Sequence, residues 1–328
     1  MKTPIALLMA GTLLLTSCVL RVSGEKDRKF KVSENEFSFV QTYKTIQPDT
    51  LKITTSGGNI RTSGYEGNTI EVSFVVTKYG KVIEITLEEL KEIAQVEIFN
   101  DKSKLEINIS NISIRNVSVG FNIKTPFKTT ANLNTSGGNI SISGLSGNQD
   151  INTSGGNLNI KAITGDVIAN TSGGNIDLEN LTGKINATTS GGNIHANDLK
   201  PELQANTSGG NIDITNIEGL VDASTSGGSI NLDQMSGTIK ANTSGGNISA
   251  TITKPVEKLE LETSGGNIDC TVPQGLGLNL ELSADHIETQ LVNFNGKYEK
   301  DKISGKINGG GIPVNLTTYG GSINLNYK

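Results

Sequence analysis

The chain has 328 residues, 34% hydrophobic and 4% aromatic, with no tryptophan, a net charge of -5 and a pI near 5.3. So few large apolar side chains exclude a thick globular core, yet Gly, Asn, Ile, Thr and Ser recur with a period that disordered chains lack. No basic run interleaves with aromatics, which excludes the usual nucleic-acid-binding surfaces.

The N-terminus reads as an address. Lys2 is followed by the apolar run IALLMAGTLLL, residues 5–15, too short to span a bilayer as a helix. LTSC follows at residues 15–18, an aliphatic residue, two small ones and Cys18. This resembles a bacterial lipobox, which implies a signal peptide over 1–17, cleavage before Cys18 and lipid attached to it. An ordinary signal peptide with a chance cysteine is the alternative. Several acyl chains on one residue would anchor the protein where one chain binds only marginally. Residues 18–29 read as a polar tether. The other cysteine, Cys270, falls two residues after Ile268 on one strand face and is expected as a small buried side chain without a disulfide partner.

Residues 30–134 are expected to hold N-terminal strands, a first coil and a cap. TSGGN starts at Thr55, and the thirteen residues that follow it match one coil. From Ser73 the period breaks. TLEELKEIA starts with Thr86 and carries Glu89 three residues on, a capping box, with Leu87, Leu90 and Ala94 on one helical face. VEIFNDKSKLEINIS reads as a hairpin around 100–102. Helix and hairpin together are expected to cover one end of the stack, which otherwise exposes a strand edge.

Residues 135–271 are the regular array. TSGGN recurs at Thr135, Thr153, Thr171, Thr189, Thr207, Thr243 and Thr263, with TSGGS at Thr225, each step 18 residues except the last, which is 20. After Thr171, Ile176 and Leu178 alternate with polar residues, as do Ile185 and Ala187, giving two short strands of period 2. Between them ENLTG is a turn with apolar Leu181, and Gly183 is free to take positive φ. One such unit cannot bury its own apolar face, so units must stack. A meander with Gly-Gly hairpin turns is the rival arrangement, but it leaves that face uncovered. The constant step and the inward turn leucine predict an all-β solenoid of about 18-residue coils with a small helix-plus-hairpin insertion near its N-terminal end.

The motif then reads as a structural corner rather than a ligand site. The glycines singled out are Gly137, Gly155, Gly173, Gly191, Gly209, Gly227, Gly245 and Gly265, whose corner backbone other residues would resist. The asparagines Asn139, Asn157, Asn175, Asn193, Asn211, Asn247 and Asn267 are expected to hydrogen-bond to one another along the axis, and the threonines likewise. Residues 272–328 lose the period but keep strands, and SINLNYK at the end is expected to close the stack.

Other chemistry finds little support. His195 sits in an outward slot shared with Asp177 and Asn231 and is expected to be solvated, and no nucleophile-elbow serine accompanies Asp285-His286. Calcium-binding nonapeptide rolls repeat their glycines in each half-coil, which these coils do not. No metal or cofactor is expected. The coils from 135 to 242 carry no aromatic residue; Phe37, Phe39, Tyr43, Phe74, Tyr79, Phe121 and Phe127 gather at the aperiodic end, the better place for a specific ligand.

The lipobox, the helix-plus-hairpin insertion, the TSGGNI coils and GKINGGGIPVNL…GGSINL (residues 305–325) together resemble a family of bacterial envelope β-strand-repeat proteins of unknown function labelled "putative adhesin". The resemblance runs from about residue 51 to 328. It implies a β-solenoid in the bacterial cell envelope, lipid-anchored, with a structural or adhesive role and an envelope protein or glycan as partner. It supplies no catalytic residues, so a non-enzyme is expected. An envelope-stress or regulatory accessory role is the alternative, and a carbohydrate-active β-helix enzyme comes third.

Overall fold

The structure is a computed structural model that describes residues 30–44, 50–101 and 103–328. The signal peptide, Cys18 and the tether lie outside the described residues, as does Lys102 in the hairpin turn.

The 18-residue step becomes one closed coil. Ile176 pairs in parallel with Ile194, Ile194 with Ile212, and Ile212 with Ile230; on the other side of the coil, Ile185 pairs with Leu203 and Leu203 with Val221. A meander would place antiparallel neighbours side by side. These ladders are parallel, so each coil returns to its starting point before the next begins.

Ile176–Thr188 is one continuous strand that bends. Asn180 takes φ 56° and Gly183 φ 149°, both in the left-handed region. Ala162, Asp198, Asn216 and Gln234 occupy the Asn180 position in neighbouring coils, with φ between 53° and 57°. Asn, Asp and Gly tolerate this conformation best. The bend keeps Leu181 inward, so Ile176, Leu178, Leu181, Ile185 and Ala187 all face the core with no more than 2% exposure. Ile194, Ala196, Leu199, Leu203 and Ala205 fill the same slots one coil on. The core is therefore a narrow column of aliphatic side chains, as the composition requires.

The N-terminal end is closed by the insertion. Its strands Lys104–Ser110 and Val117–Pro126 lie outside the first coil, parallel to Thr50–Thr55 and Ile60–Tyr65 respectively. Beyond them the pairing turns antiparallel: Gln95–Asn100 on Lys104–Ser110, Thr69–Lys78 on Val117–Pro126, and Phe39–Lys44 on Thr69–Lys78. Phe74 stacks on Phe39 at 4.4 Å and meets Phe121 edge-on at 5.2 Å, filling the wider core there. The helix Leu87–Ile93 starts at Thr86, whose hydroxyl accepts from the Glu89 N–H while the Glu89 carboxylate accepts from the Thr86 N–H. It buries Leu90 and Ile93.

The C-terminal end departs from the expectation. Ile312–Thr318 and Ser322–Tyr327 stack directly on the last regular coil, parallel to the end of Ile248–Thr263 and to Ile268–Val272. Leu278–Ser283 and His286–Thr289, earlier in sequence, lie outside them. Lys302–Ile307 then adds antiparallel to Leu278–Ser283, and Phe294–Tyr298 antiparallel to Lys302–Ile307. SINLNYK is therefore an interior coil, and the closing layer is the hairpin of residues 294–307.

Candidate functional site

The corner is built from three interactions that repeat at each step. The Thr171 hydroxyl donates to the Gly156 carbonyl of the previous coil at 2.9 Å and accepts from the Gly174 N–H at 3.2 Å. Asn157 Oδ1 accepts from the Asn175 N–H at 2.8 Å, and Asn175 Oδ1 from the Asn193 N–H at 2.8 Å. The expected side-chain-to-side-chain ladders are replaced at this corner by side-chain-to-backbone brackets. The backbone wins because a corner strands N–H and C=O groups that the strands cannot pair. Where Ser229 replaces asparagine, its hydroxyl still accepts from the Asn247 N–H, at 3.2 Å.

The glycines are corrected by one position. A Cβ on Gly174 would stand 1.9 Å from the Gly156 carbonyl oxygen, and Gly192, Gly210 and Gly228 repeat the clash with the coil below. On Gly173 the nearest atom would be 3.9 Å away; on Gly137 nothing lies within 4 Å, and neither residue takes a positive φ. The second glycine of TSGGN is the one that needs to be glycine. TYGGS at residues 318–322, a near copy of the motif, joins the same corner across 55 residues: Ser322 N–H donates to Asn267 Oδ1 at 2.9 Å.

The outward faces carry polar ladders. His195 is half-exposed and its Nδ1 lies 3.1 Å from Asp213 Oδ2 of the next coil, so it is paired across coils rather than simply solvated. Asn231 Nδ2 donates to the other Asp213 oxygen at 2.6 Å. Such exposed pairs contribute little stability. Among the described residues no group of three or more His, Cys, Asp or Glu is placed to hold a metal ion. Cys270 is fully buried, and burial pushes its thiol pKa up to about 12. A thiol held protonated in this way is no nucleophile.

Depressions lie at both ends of the described stack. At the C-terminal end a cleft of about 380 Å³ is lined by Gln274, Gln290, Asn293, Asn308 and Tyr327. At the N-terminal end a groove of about 1040 Å³ crosses the outer face of the first coils, between Phe37 and Val82 on one side and Lys161 on the other. A neighbouring hollow of about 380 Å³ shares Arg61, Val75 and Asn122 with it. Sequence reasoning pointed to this end through its aromatics but missed Arg61, which looks there like one more outward polar slot.

Stacked parallel coils, capped at both ends and carrying no side-chain machinery in common except the corner, define a solenoid of the β-strand-repeat class. Residues 161–326 match the family described as Toastrack DUF4097, and the chain belongs to that family. Solved structures with a similar arrangement are distant. One described as a "putative adhesin" from Parabacteroides merdae ATCC 43184 is 18% identical, with 74% of this chain and 99% of that chain covered and a TM-score of 0.42. Another so described, from Parabacteroides distasonis ATCC 8503, is 14% identical over 88% of this chain and 96% of that chain, with a TM-score of 0.41. A "putative lipid binding protein" from the same organism is 17% identical over 89% and 97%, with a TM-score of 0.38. No curated protein matches the chain.

Proposed function

We propose that the protein is a lipid-anchored solenoid of the bacterial cell envelope with a non-enzymatic structural or adhesive role, held to the membrane through Cys18 and engaging an envelope protein or glycan. The observation that supports it is the stack itself. Parallel coils present long, polar, regularly spaced faces on a rigid column, a form suited to reaching and contacting other surfaces rather than enclosing a substrate. The LTSC sequence at 15–18 supplies the anchor in this reading.

Replacing Cys18 with Ser should move the protein from the detergent fraction to the soluble one, or leave it unprocessed. Unchanged fractionation and unchanged mass would remove the anchor from the reading. Protease shaving of intact cells tests adhesion: the coils must be cleaved from outside if they contact other cells, and protection would restrict the role to the inside of the envelope.

A further inference from the structure

We propose that the N-terminal groove is a binding site for an acidic polysaccharide, laid along the solenoid axis with Arg61 at its centre. This rests on the interaction role proposed above and names the ligand class for it.

The floor of the groove follows from strand register. One row of outward side chains runs Asn122, Arg61, Ser141, Asn159 across four adjacent strands. A second row, two residues further along each strand, runs Lys124, Ser63, Ser143, Lys161. Hydroxyls and amides thus alternate with three cations. Glu36 and Glu71 are the carboxylates of the lining and Glu179 stands beside Lys161, so among the described residues Arg61 is the cation of the groove left without a carboxylate partner.

The three cations differ in what already holds them. Lys161 lies 2.7 Å from Glu179, which raises its pKa by hydrogen bonding first and charge second. Lys124 is loosely placed, 3.9 Å from Glu71. Arg61 is exposed and makes no hydrogen bond or ion pair with any described residue. A guanidinium is the side chain best shaped to take a carboxylate through two parallel hydrogen bonds, and this one is unoccupied while the hydroxyls around it are free to bond a ligand's own hydroxyls.

Spacing selects a sugar chain over a peptide. Adjacent strands lie about 4.8 Å apart, whereas an extended peptide advances only about 3.4 Å per residue. The strand spacing is close to the advance of one pyranose residue along a 1,4-linked chain. Successive sugars would therefore meet successive rungs, with carboxylates falling to Lys124, Arg61 or Lys161. Phe37, more than a third exposed, and Val82 form an apolar wall for the C–H face of a ring.

Titration of the full-length protein in detergent with an oligogalacturonate, a neutral galacto-oligosaccharide of equal length and a polyglutamate of equal charge tests the proposal. The oligogalacturonate should bind, more weakly as salt rises, and the other two about tenfold less tightly or worse. Arg61→Gln should weaken oligogalacturonate binding about tenfold, the loss of one charge-assisted pair, and Arg61→Lys should restore part of it. Both variants should melt with the wild type, since the side chain holds nothing in the fold. If Arg61→Gln melts lower, Ser143→Phe, which fills the floor without removing charge, replaces it as the variant that must weaken binding. No binding of oligogalacturonate, equal binding of the neutral sugar or of polyglutamate, or full binding by the well-folded variant overturns the site. Binding of the same protein to envelope fractions is measured alongside. If that persists while the acidic sugar fails, only this site is wrong; if it vanishes while the acidic sugar binds, the envelope role is wrong and the site stands.

Discussion

A methyl group on Gly174 would stand 1.9 Å from a backbone oxygen, while on Gly173 it would meet nothing nearer than 3.9 Å. Gly174→Ala should therefore destabilise the stack by about 3 kcal/mol, because the obstacle is a neighbouring coil that cannot swing aside. Gly173→Ala should stay within about 0.5 kcal/mol of wild type. Thermal melts of the two variants decide the matter, and equal melting temperatures would refute the corner geometry. TSGGN shows two identical letters side by side, so nothing in the motif ranks them; only the position of the next coil's carbonyl does. Cys270 provides a second residue-level expectation. Its thiol is buried and pushed up from an ordinary 9.0 to about 12, so the folded protein should resist alkylation at neutral pH and react fully when unfolded. The sign of its pH effect follows. Between about pH 9 and 12 the unfolded thiol loses its proton and the folded one keeps it, so this group's contribution to stability is intact below pH 9 and lost as pH climbs towards 12.

At the scale of elements, what the sequence reveals depends on how local the cause is. The capping box at Thr86 and Glu89, the hairpin before Ser110 and the alternation Ile176, Leu178, Leu181 are all local patterns, and each appears where its pattern says. The left-handed bend at Asn180 is also local, but it is filled by Ala162, Asp198, Asn216 and Gln234 in other coils, so no shared letter announces it. The order of the last coils is not local at all. Pairing of Val314 with Leu259 crosses 55 residues and obeys shape at the end of the stack, not the period. It carries a consequence. Removing residues 312–328 withdraws the parallel partners of Leu278–Ser283 and His286–Thr289. Hydrogen exchange should then show protection lost throughout 278–307, with the coils before 260 still protected. Had the last strands merely closed the stack, the strands at 278–289 would stay protected after the truncation.

For the whole molecule, stability and binding should respond to the number of coils in different ways. Deleting residues 171–188 removes one full period and joins Asn170 to Thr189, which restores the same corner letters. Leu158 then faces Ile194 and Val167 faces Leu203, so every inward slot still meets an aliphatic neighbour, and the Asn157 carbonyl oxygen of the side chain meets the Asn193 N–H. The losses are one coil with its interface and the exposed Lys161–Glu179 and Lys184–Glu202 pairs. Deleting only 171–179 removes the corner with its Thr171 bracket and sets a bend beneath a strand, leaving buried N–H and C=O groups without partners. Circular dichroism melts should show a modest drop for the first deletion and collapse for the second, and equal damage from both would overturn the coil register. The 18-residue deletion also separates two modes of binding. Contacts spread along the column should weaken gradually as coils are lost, in the manner of multivalent attachment. The groove, built from residues 36–161, keeps its whole floor in that variant. Undiminished affinity for the acidic oligosaccharide, or a gain from the freed Lys161, together with reduced attachment to envelope fractions would assign ligand recognition to the aperiodic end and surface contact to the repeats.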